Sequence, residues 1–273
     1  LKKCKNFQGV VDAVNVTDNQ SAIVRMSSLM VSAILVQEGL EPIMQLTCRD
    51  RNRLALQSEL LSAGAAGIRN ILCLTGDHQS IGNQPDAKGV FDLDSTQFVA
   101  MADEMSRGFF MNGEAVKPPP ALFVGATTNP FAEPLPMRVW NLAKKIKAGA
   151  RFIQTQPVFD IPRFETWMEA VRDEGLDEQS YILAGAMPVR SAKALYHMRD
   201  NVPGMRIADE YVKRMESASE PQEEGVAICV EVLKRLRETP GVKGVHIMPV
   251  MWESITPRLV EEAGLLPAKS GAP

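Results

Sequence analysis

The chain has 273 residues, of which 45% are hydrophobic and 23% charged, and a formal net charge of -3. That much apolar material suffices for one large α/β domain or two small ones, and the slight acidity argues against a nucleic-acid or anionic-membrane surface. No apolar run approaches the roughly 20 residues of a membrane span, no signal peptide is visible, and the scattered Cys4, Cys48, Cys73 and Cys229 share no metal-ligand spacing with each other or with His78, His197 and His246. The expectation is a cytoplasmic protein with reduced thiols and no metal site.

In chain order, residues 1–8 read as the tail of a helix and Val10–Val16 as a strand ending at Thr17-Asp18-Asn19-Gln20. Ser21–Glu38 has helical periodicity, with Ile23, Met26, Met30, Ile34 and Leu35 on one face and Gly39 as C-cap. Strand Pro42–Leu46 leads to Thr47-Cys48-Arg49-Asp50, and helix Arg51–Ala63 ends at Gly64. Ile71–Leu74 is a strand, and Ser95–Arg107 a helix capped by Asp94 or Ser95. A connector over 109–120 precedes strand Ala121–Gly125 and helix Pro136–Ala148, capped by Gly149. Strands Phe152–Thr155, Tyr181–Ala184 and Val245–Met248 alternate with helices Ile161–Asp173, Ser191–Arg199, Gly225–Arg237 and Ile255–Ala263, with a short extra helix over 205–216. Glu220, Glu223 and Glu224 around Pro221 read as a solvated loop.

Seven short strands, each followed by a helix, predict a parallel sheet with right-handed crossovers. The sequence lacks the G-x-G-x-x-G of a dinucleotide-binding sheet. Instead the strands end in polar residues, Thr17, Thr47, Asp77, Thr127 and Gln156, as at the mouth of a barrel. The reading is a single-domain (β/α)8 TIM barrel over 1–273 whose first strand is missing from the sequence and would precede residue 1; an open or seven-stranded sheet is the alternative.

The stretch Asn70–Gln97 is the focus of the site. A buried strand ends at Thr75-Gly76, Asp77 follows at once, and a long Gly/Asn/Asp/Pro loop separates it from the next helix. Loops of that length are functional or disordered, and carboxylates at the C-terminal ends of parallel strands sit where α/β folds build sites. Each candidate has a plainer reading. Asp77 can be a turn residue, Thr17 and Thr47 can bond local backbone, Lys145 can belong to a solvated helix face, and Gln156 can hold its own turn.

Together, Val-Asn-Val-Thr-Asp-Asn-Gln (14–20), Gln-Leu-Thr-Cys (45–48), Leu-Thr-Gly-Asp-His (74–78), Ala-Gly-Ala-Arg-Phe-Ile-Gln-Thr-Gln-Pro-Val-Phe-Asp (148–160) and Gly-Val-His-Ile-Met (244–248) resemble the methylenetetrahydrofolate reductase family. Phe-Asp-Leu-Asp-Ser (91–95) resembles its branch in acetogens and related anaerobes. The resemblance implies a flavoprotein of one-carbon metabolism, serving methionine biosynthesis or the acetyl-CoA pathway. It would bind FAD, with FMN the other option, and reduce 5,10-methylenetetrahydrofolate to 5-methyltetrahydrofolate by hydride from flavin N5. It implies cofactor contacts from Thr17, Thr47, Thr75, Gly76, Asp77, His78 and Asn129, a phosphate contact from Lys145, and pterin contacts from Asp77 and Gln156, with Asp77 the catalytic residue.

A carboxylate can bind the pterin amide-and-amino edge through two parallel hydrogen bonds, and the Gln amide offers it both a donor and an acceptor. Departures are the absence of the family's first-strand Glu followed by Pro-Pro, Ala192 in place of an aromatic, and Gln45, Gly125 and Asn129 at positions that often contact flavin. They point away from direct NAD(P)H use and toward a partner subunit with iron–sulfur or zinc centres, within an oligomer or complex. The alternatives are a pterin-binding methyltransferase barrel and a non-catalytic flavin- or folate-binding subunit.

Overall fold

The computed structural model describes residues 4–202 and 204–265. Seven strands lie in one sheet in chain order: β1 (Val14–Val16), β2 (Pro42–Thr47), β3 (Asn70–Leu74), β4 (Phe123–Thr128), β5 (Phe152–Pro157), β6 (Tyr181–Ala186) and β7 (Val242–Ile247). The helices between and after them are α1 (Ser28–Gln37), α2 (Arg53–Ala65), α3 (Ser95–Ser106), α4 (Leu135–Lys147), α5 (Ile161–Asp173), α6 (Ala192–Asn201), α7 (Asp209–Ser217), α8 (Pro221–Glu238) and α9 (Thr256–Glu262). This is the α/β alternation and strand content expected of an incomplete (β/α)8 barrel. The chain forms two units. One comprises Asp12–Thr127 and Ala143–Phe152, the other Leu1–Val11, Thr128–Leu142 and Ile153–Pro273.

In the first unit the pairings are parallel and nearly level. Val14 faces Pro42 and Val16 faces Met44, Ile43 faces Asn70 and Thr47 faces Leu74, and Asn70 faces Phe123. Parallel strands in level register place their C-terminal residues on one edge. The core is Met44, Leu46, Ile71, Leu72 and Cys73 of the strands against Leu56 and Leu60 of α2 and Phe98, Val99 and Met105 of α3. Each such side chain contributes about 1.5–3 kcal/mol on burial. The helix α3 begins with a capping box in which Asp94 accepts from the Gln97 amide while the Gln97 side chain accepts from the Asp94 amide.

Two expectations in this unit are corrected. Helix α1 starts at Ser28 rather than Ser21, because Ser21 and Ala22 stand at φ 55°, outside the helical region, and the backbone donors of Ser21, Val24 and Arg25 go to side chains. Ser21 N–H goes to Asp77 Oδ2, Val24 N–H to Asn83 Oδ1 and Arg25 N–H to Asn19 Oδ1. Its buried residues are Ser28, Ser32 and Leu35, while Met26 and Met30, placed inward by periodicity, are exposed. Gly64 does not end α2. It lies inside the helix, where an added Cβ would come within 2.8 Å of Pro120 Cβ, and Gly67, at φ +76°, takes the terminating position.

In the second unit β6 and β7 are parallel, with Ala186 facing Ile247. Phe164, Trp167 and Met168 of α5 and Ile228, Leu233 and Leu236 of α8 are buried. The acidic stretch read as a solvated loop is the start of α8: Pro221 sits in the first turn with Glu223 and Glu224, favourable for the fixed φ of proline and for the helix dipole. Glu224 pairs with Arg214 at 2.7 Å and Glu223 with Arg258 at 2.7 Å. The start of the chain described here is a short 3-10 helix, Cys4–Phe7, which contacts α9.

Candidate functional site

On the C-terminal edge of the first unit, the residue after β1 is Thr17, which is exposed, and the next is Asp18, which is buried. The Asp18 carboxylate accepts from the Thr47 amide and the Thr47 hydroxyl, both at 2.9 Å. It also accepts both Arg51 Nη groups, at 2.7 and 3.2 Å. Thr47 is only 2% exposed. Its hydroxyl proton is therefore spent on tying the end of β2 to the end of β1.

Asp77 follows β3 and is exposed, as are Thr75 and His78. Its Oδ2 accepts the Ser21 N–H at 3.0 Å, and its main-chain carbonyl accepts from Arg49 Nη1 at 3.1 Å. Gly76 has φ +91°, and a Cβ there would approach Thr47 Cβ to 2.9 Å. Only glycine combines that dihedral with that close approach. His78 is held locally: Nδ1 lies 2.8 Å from Ser80 Oγ, accepts the Ser80 N–H at 3.3 Å, and the ring stacks on Phe91 with centroids 6.4 Å apart.

The long loop after Asp77 is bound back to the β2 end. Val90 N–H donates to the Arg49 carbonyl at 2.7 Å and Phe91 N–H to the Cys48 carbonyl at 3.1 Å. Arg53 grips Asp92 through Nε at 2.8 Å and Nη2 at 2.9 Å, which holds the Asp92 carboxyl down at about 2. Burial, reinforced by Asp94 and Asp92, pushes the Cys48 thiol up to about 12, so it is an inert packing residue rather than a nucleophile.

Lys145, on α4 within the same unit, is half-buried and donates to the Thr127 carbonyl at 2.7 Å. Burial pulls its pKa below the ordinary lysine value, against an opposing pull from Asp94. Gly125 of β4 faces the Phe152 ring, 2.2 Å from where a Cβ would stand, and Phe152 also stacks on Phe123 at 5.5 Å. The space beside Gly125 is thus filled by a phenylalanine.

The other two candidates belong to the second unit. Asn129 Oδ1 accepts the Phe131 N–H at 2.9 Å and its Nδ2 donates to the Gly204 carbonyl at 3.3 Å. Gln156 is exposed at the end of β5. Its carbonyl accepts the buried Thr155 hydroxyl at 2.8 Å, and that hydroxyl in turn accepts the Gly185 N–H at 2.9 Å, which fixes the strand end that presents the amide.

The structure thus gathers Thr17, Thr47, Thr75, Gly76, Asp77 and His78 on one edge of the first unit. Asp18, Ser21, Arg49 and Arg51 had not been singled out from the sequence. For Asp18, Arg49 and Arg51 the signal was opposite charges in the turns after successive strands, Asp18 after β1 and Arg49 and Arg51 after β2; Ser21 carries none. Among the described residues no helix is long and apolar enough to cross a membrane.

A family model described as methylenetetrahydrofolate reductase matches residues 2–264. Among individual relatives, methylenetetrahydrofolate reductase 2 of Saccharomyces cerevisiae is 25% identical over 260 residues, covering 90% of this chain and 41% of the yeast protein. The 5,10-methylenetetrahydrofolate reductase of Pectobacterium carotovorum is 24% identical over 242 residues, covering 87% of this chain and 74% of its own length. The chain spans about two fifths of the length of the eukaryotic relatives it matches. A solved structure of an uncharacterized Clostridium thermocellum protein, described as binding two copies of 5-methyl-5,6,7,8-tetrahydrofolic acid, aligns with a TM-score of 0.65 at 12% identity, covering 97% of this chain and 86% of its own; this likeness is one of fold.

Proposed function

Because the chain belongs to the methylenetetrahydrofolate reductase family, we propose that it is a flavin-dependent reductase of 5,10-methylenetetrahydrofolate, with residues 1–273 acting as a single folate- and flavin-binding domain. The observation that carries this reading is Asp77. It is an exposed carboxylate at a strand end, held from behind by the Ser21 N–H and leaving lone pairs on both oxygens for the paired N–H groups of a pterin. A folate-binding neighbour of the same fold supports the ligand class.

The residues fit a flavin. Lys145 is a desolvated ammonium on an uncharged carbonyl partner, a state that a flavin phosphate would relieve. Exposed Thr17, Thr75 and His78 and the half-buried backbone of Gly76 supply donors on the same edge as Asp77, while Thr47 ties that edge to Asp18. Asn129 and Gln156 keep the cofactor and pterin roles that the resemblance assigns them. When bound, FAD or FMN supplies the hydride. Asp77 orients the pterin and, through its charge, disfavours negative charge on the adjacent ring system. The exposed Gln156 amide donates to and accepts from the pterin edge. Electrons come from NAD(P)H or from a partner subunit carrying iron–sulfur or zinc centres, and the cytoplasmic acetogen-type setting is part of the same proposal.

The test is an anaerobic flavin spectrum. Bleaching of oxidised flavin by 5-methyltetrahydrofolate, or reoxidation of reduced flavin by the methylene compound, is the expected result. A protein that binds flavin but responds to neither folate overturns the reductase reading in favour of a binding subunit, and a protein with no flavin affinity overturns it in favour of a methyltransferase barrel.

A further inference from the structure

The Arg49 side chain is 3% exposed, and its donors go to three successive strand ends. Nε and Nη2 form a bidentate pair with Asp50 at 2.8 and 2.7 Å. Nη1 reaches the Asp77 carbonyl at 3.1 Å and Nη2 the Asn19 carbonyl at 3.4 Å. Asn19 in turn extends its Nδ2 to Asp50 at 3.5 Å. Hence one planar cation bonds the loops that follow β1, β2 and β3. A lysine, which is a single point charge, cannot reproduce that fork.

The bond to Asp77 matters most. Arg49 holds the main-chain carbonyl, not the carboxylate, so it locates the residue without capping the group that would meet a ligand. The carboxylate is restrained separately, by the Ser21 N–H from the β1 loop. That loop is shaped for the purpose: Asn19, Ser21 and Ala22 have φ of 47°, 55° and 55°, a region that residues with a Cβ adopt only at a cost, and the Asn19 carbonyl is on Arg49. Both polar ends of Asp77 are therefore set by groups that Arg49 organises.

We infer that Arg49, oriented by Asp50, is a positioning residue that presents the Asp77 carboxylate to folate. This rests on the reading of Asp77 under the proposed function. The test is a double-mutant cycle on the full chain loaded with reduced flavin, which 5-methyltetrahydrofolate cannot reduce further, with the 5-methyltetrahydrofolate dissociation constant measured anaerobically by calorimetry. Flavin affinity and melting temperature are recorded beside it. Asp77→Ala is expected to weaken folate binding about 10- to 100-fold, the scale of hydrogen bonds to a charged group. Arg49→Gln is expected to weaken it about 5- to 20-fold in the parent and less than about 2-fold in the Asp77→Ala background, the non-additivity of residues that act as one.

Asp50→Asn, at an exposed residue and gentler on folding, should follow the same pattern at smaller size; if Arg49→Gln does not fold, Asp50→Asn carries the cycle. Equal losses of folate affinity in both backgrounds would mean that Arg49 acts generally on the fold, and would overturn the inference while leaving Asp77 in place. An Asp77→Ala variant that binds folate as the parent does would overturn the Asp77 assignment, and the inference with it.

Discussion

Replacing Asp18 with alanine should be among the costliest single substitutions in the first unit. The side chain is 1% exposed and that of its partner Arg51 14%. Its loss strands the Thr47 amide and the Thr47 hydroxyl and leaves the Arg51 guanidinium to the longer pair with Glu59 at 3.6 Å. Breaking one side of a buried ion pair costs about 3–5 kcal/mol, because the remaining charge stays buried without its partner. For a chain of this size that corresponds to a fall in melting temperature of about 6–20 °C, at about 2–4 °C per kcal/mol. Thr47→Val removes one hydroxyl and should cost about 1–2 kcal/mol, and less than that in the Asp18→Ala background. Thermal and urea unfolding, followed by circular dichroism, give both numbers. Flavin affinity measured on Thr47→Val separates the structural role from a ligand contact: the expected value is near that of the parent. An Asp18→Ala protein melting within about 2 °C of the parent would refute the reasoning, since it would place less than about 1 kcal/mol in the whole cluster.

Lys145→Met should lower flavin affinity by about 10-fold or more, the loss of one charge-assisted phosphate contact, with little fall in melting temperature because the burial penalty on the ammonium disappears too; fluorescence titration of flavin reads it. Gly125→Ala places a Cβ 2.2 Å from the Phe152 ring and should cost about 1–3 kcal/mol of overpacking, partly recovered by Phe152→Leu, as urea unfolding of the three variants will show. Burial pushes His246 of β7 down to about 4 from 6.5, so the unfolded chain takes up a proton that the folded one refuses. Stability contributed here is complete above pH 6.5 and is lost as pH falls toward 4, at no more than about 1.4 kcal/mol per pH unit. A His246→Gln variant should flatten that stretch of the stability–pH curve, and an unchanged slope would show that carboxylates alone set it.

The strands and most helices were legible because they are written locally. Ile71–Leu74 is a short apolar run, Asp94 and Gln97 form a capping box three residues apart, and Gly39 stands at φ +76° where a helix must end. What could not be read depends on partners distant in sequence. The first turns expected of α1 give way to a loop with Ser21 and Ala22 at φ 55°, whose Ser21 and Val24 amides bond Asp77, 56 residues on, and Asn83, 59 residues on. Met26 and Met30 fit a helical stripe, yet the buried face is made of Ser28, Ser32 and Leu35, since close packing selects small side chains as readily as apolar ones. At the site, Asp77 and Gln156 were marked by position at strand ends, and both are exposed there. Thr47 looked like a ligand residue for the same reason. Its hydroxyl is turned onto Asp18, 29 residues away, which no local pattern marks. Arg49 and Asp18 were visible as charges, but their burial was not.

The β1 loop and the long loop after β3 are interlocked at three points. The Ser21 and Val24 amides bond Asp77 and Asn83, and Gly82 lies so close to the Ala22 carbonyl that an added Cβ would stand 1.9 Å from its oxygen. Long surface loops ordinarily tolerate insertions and drift in length. This pair has surrendered that freedom. A residue inserted in one loop would throw the other out of register, so the rim around Asp77 is able to evolve only as a matched set, with the two loops changing together or not at all.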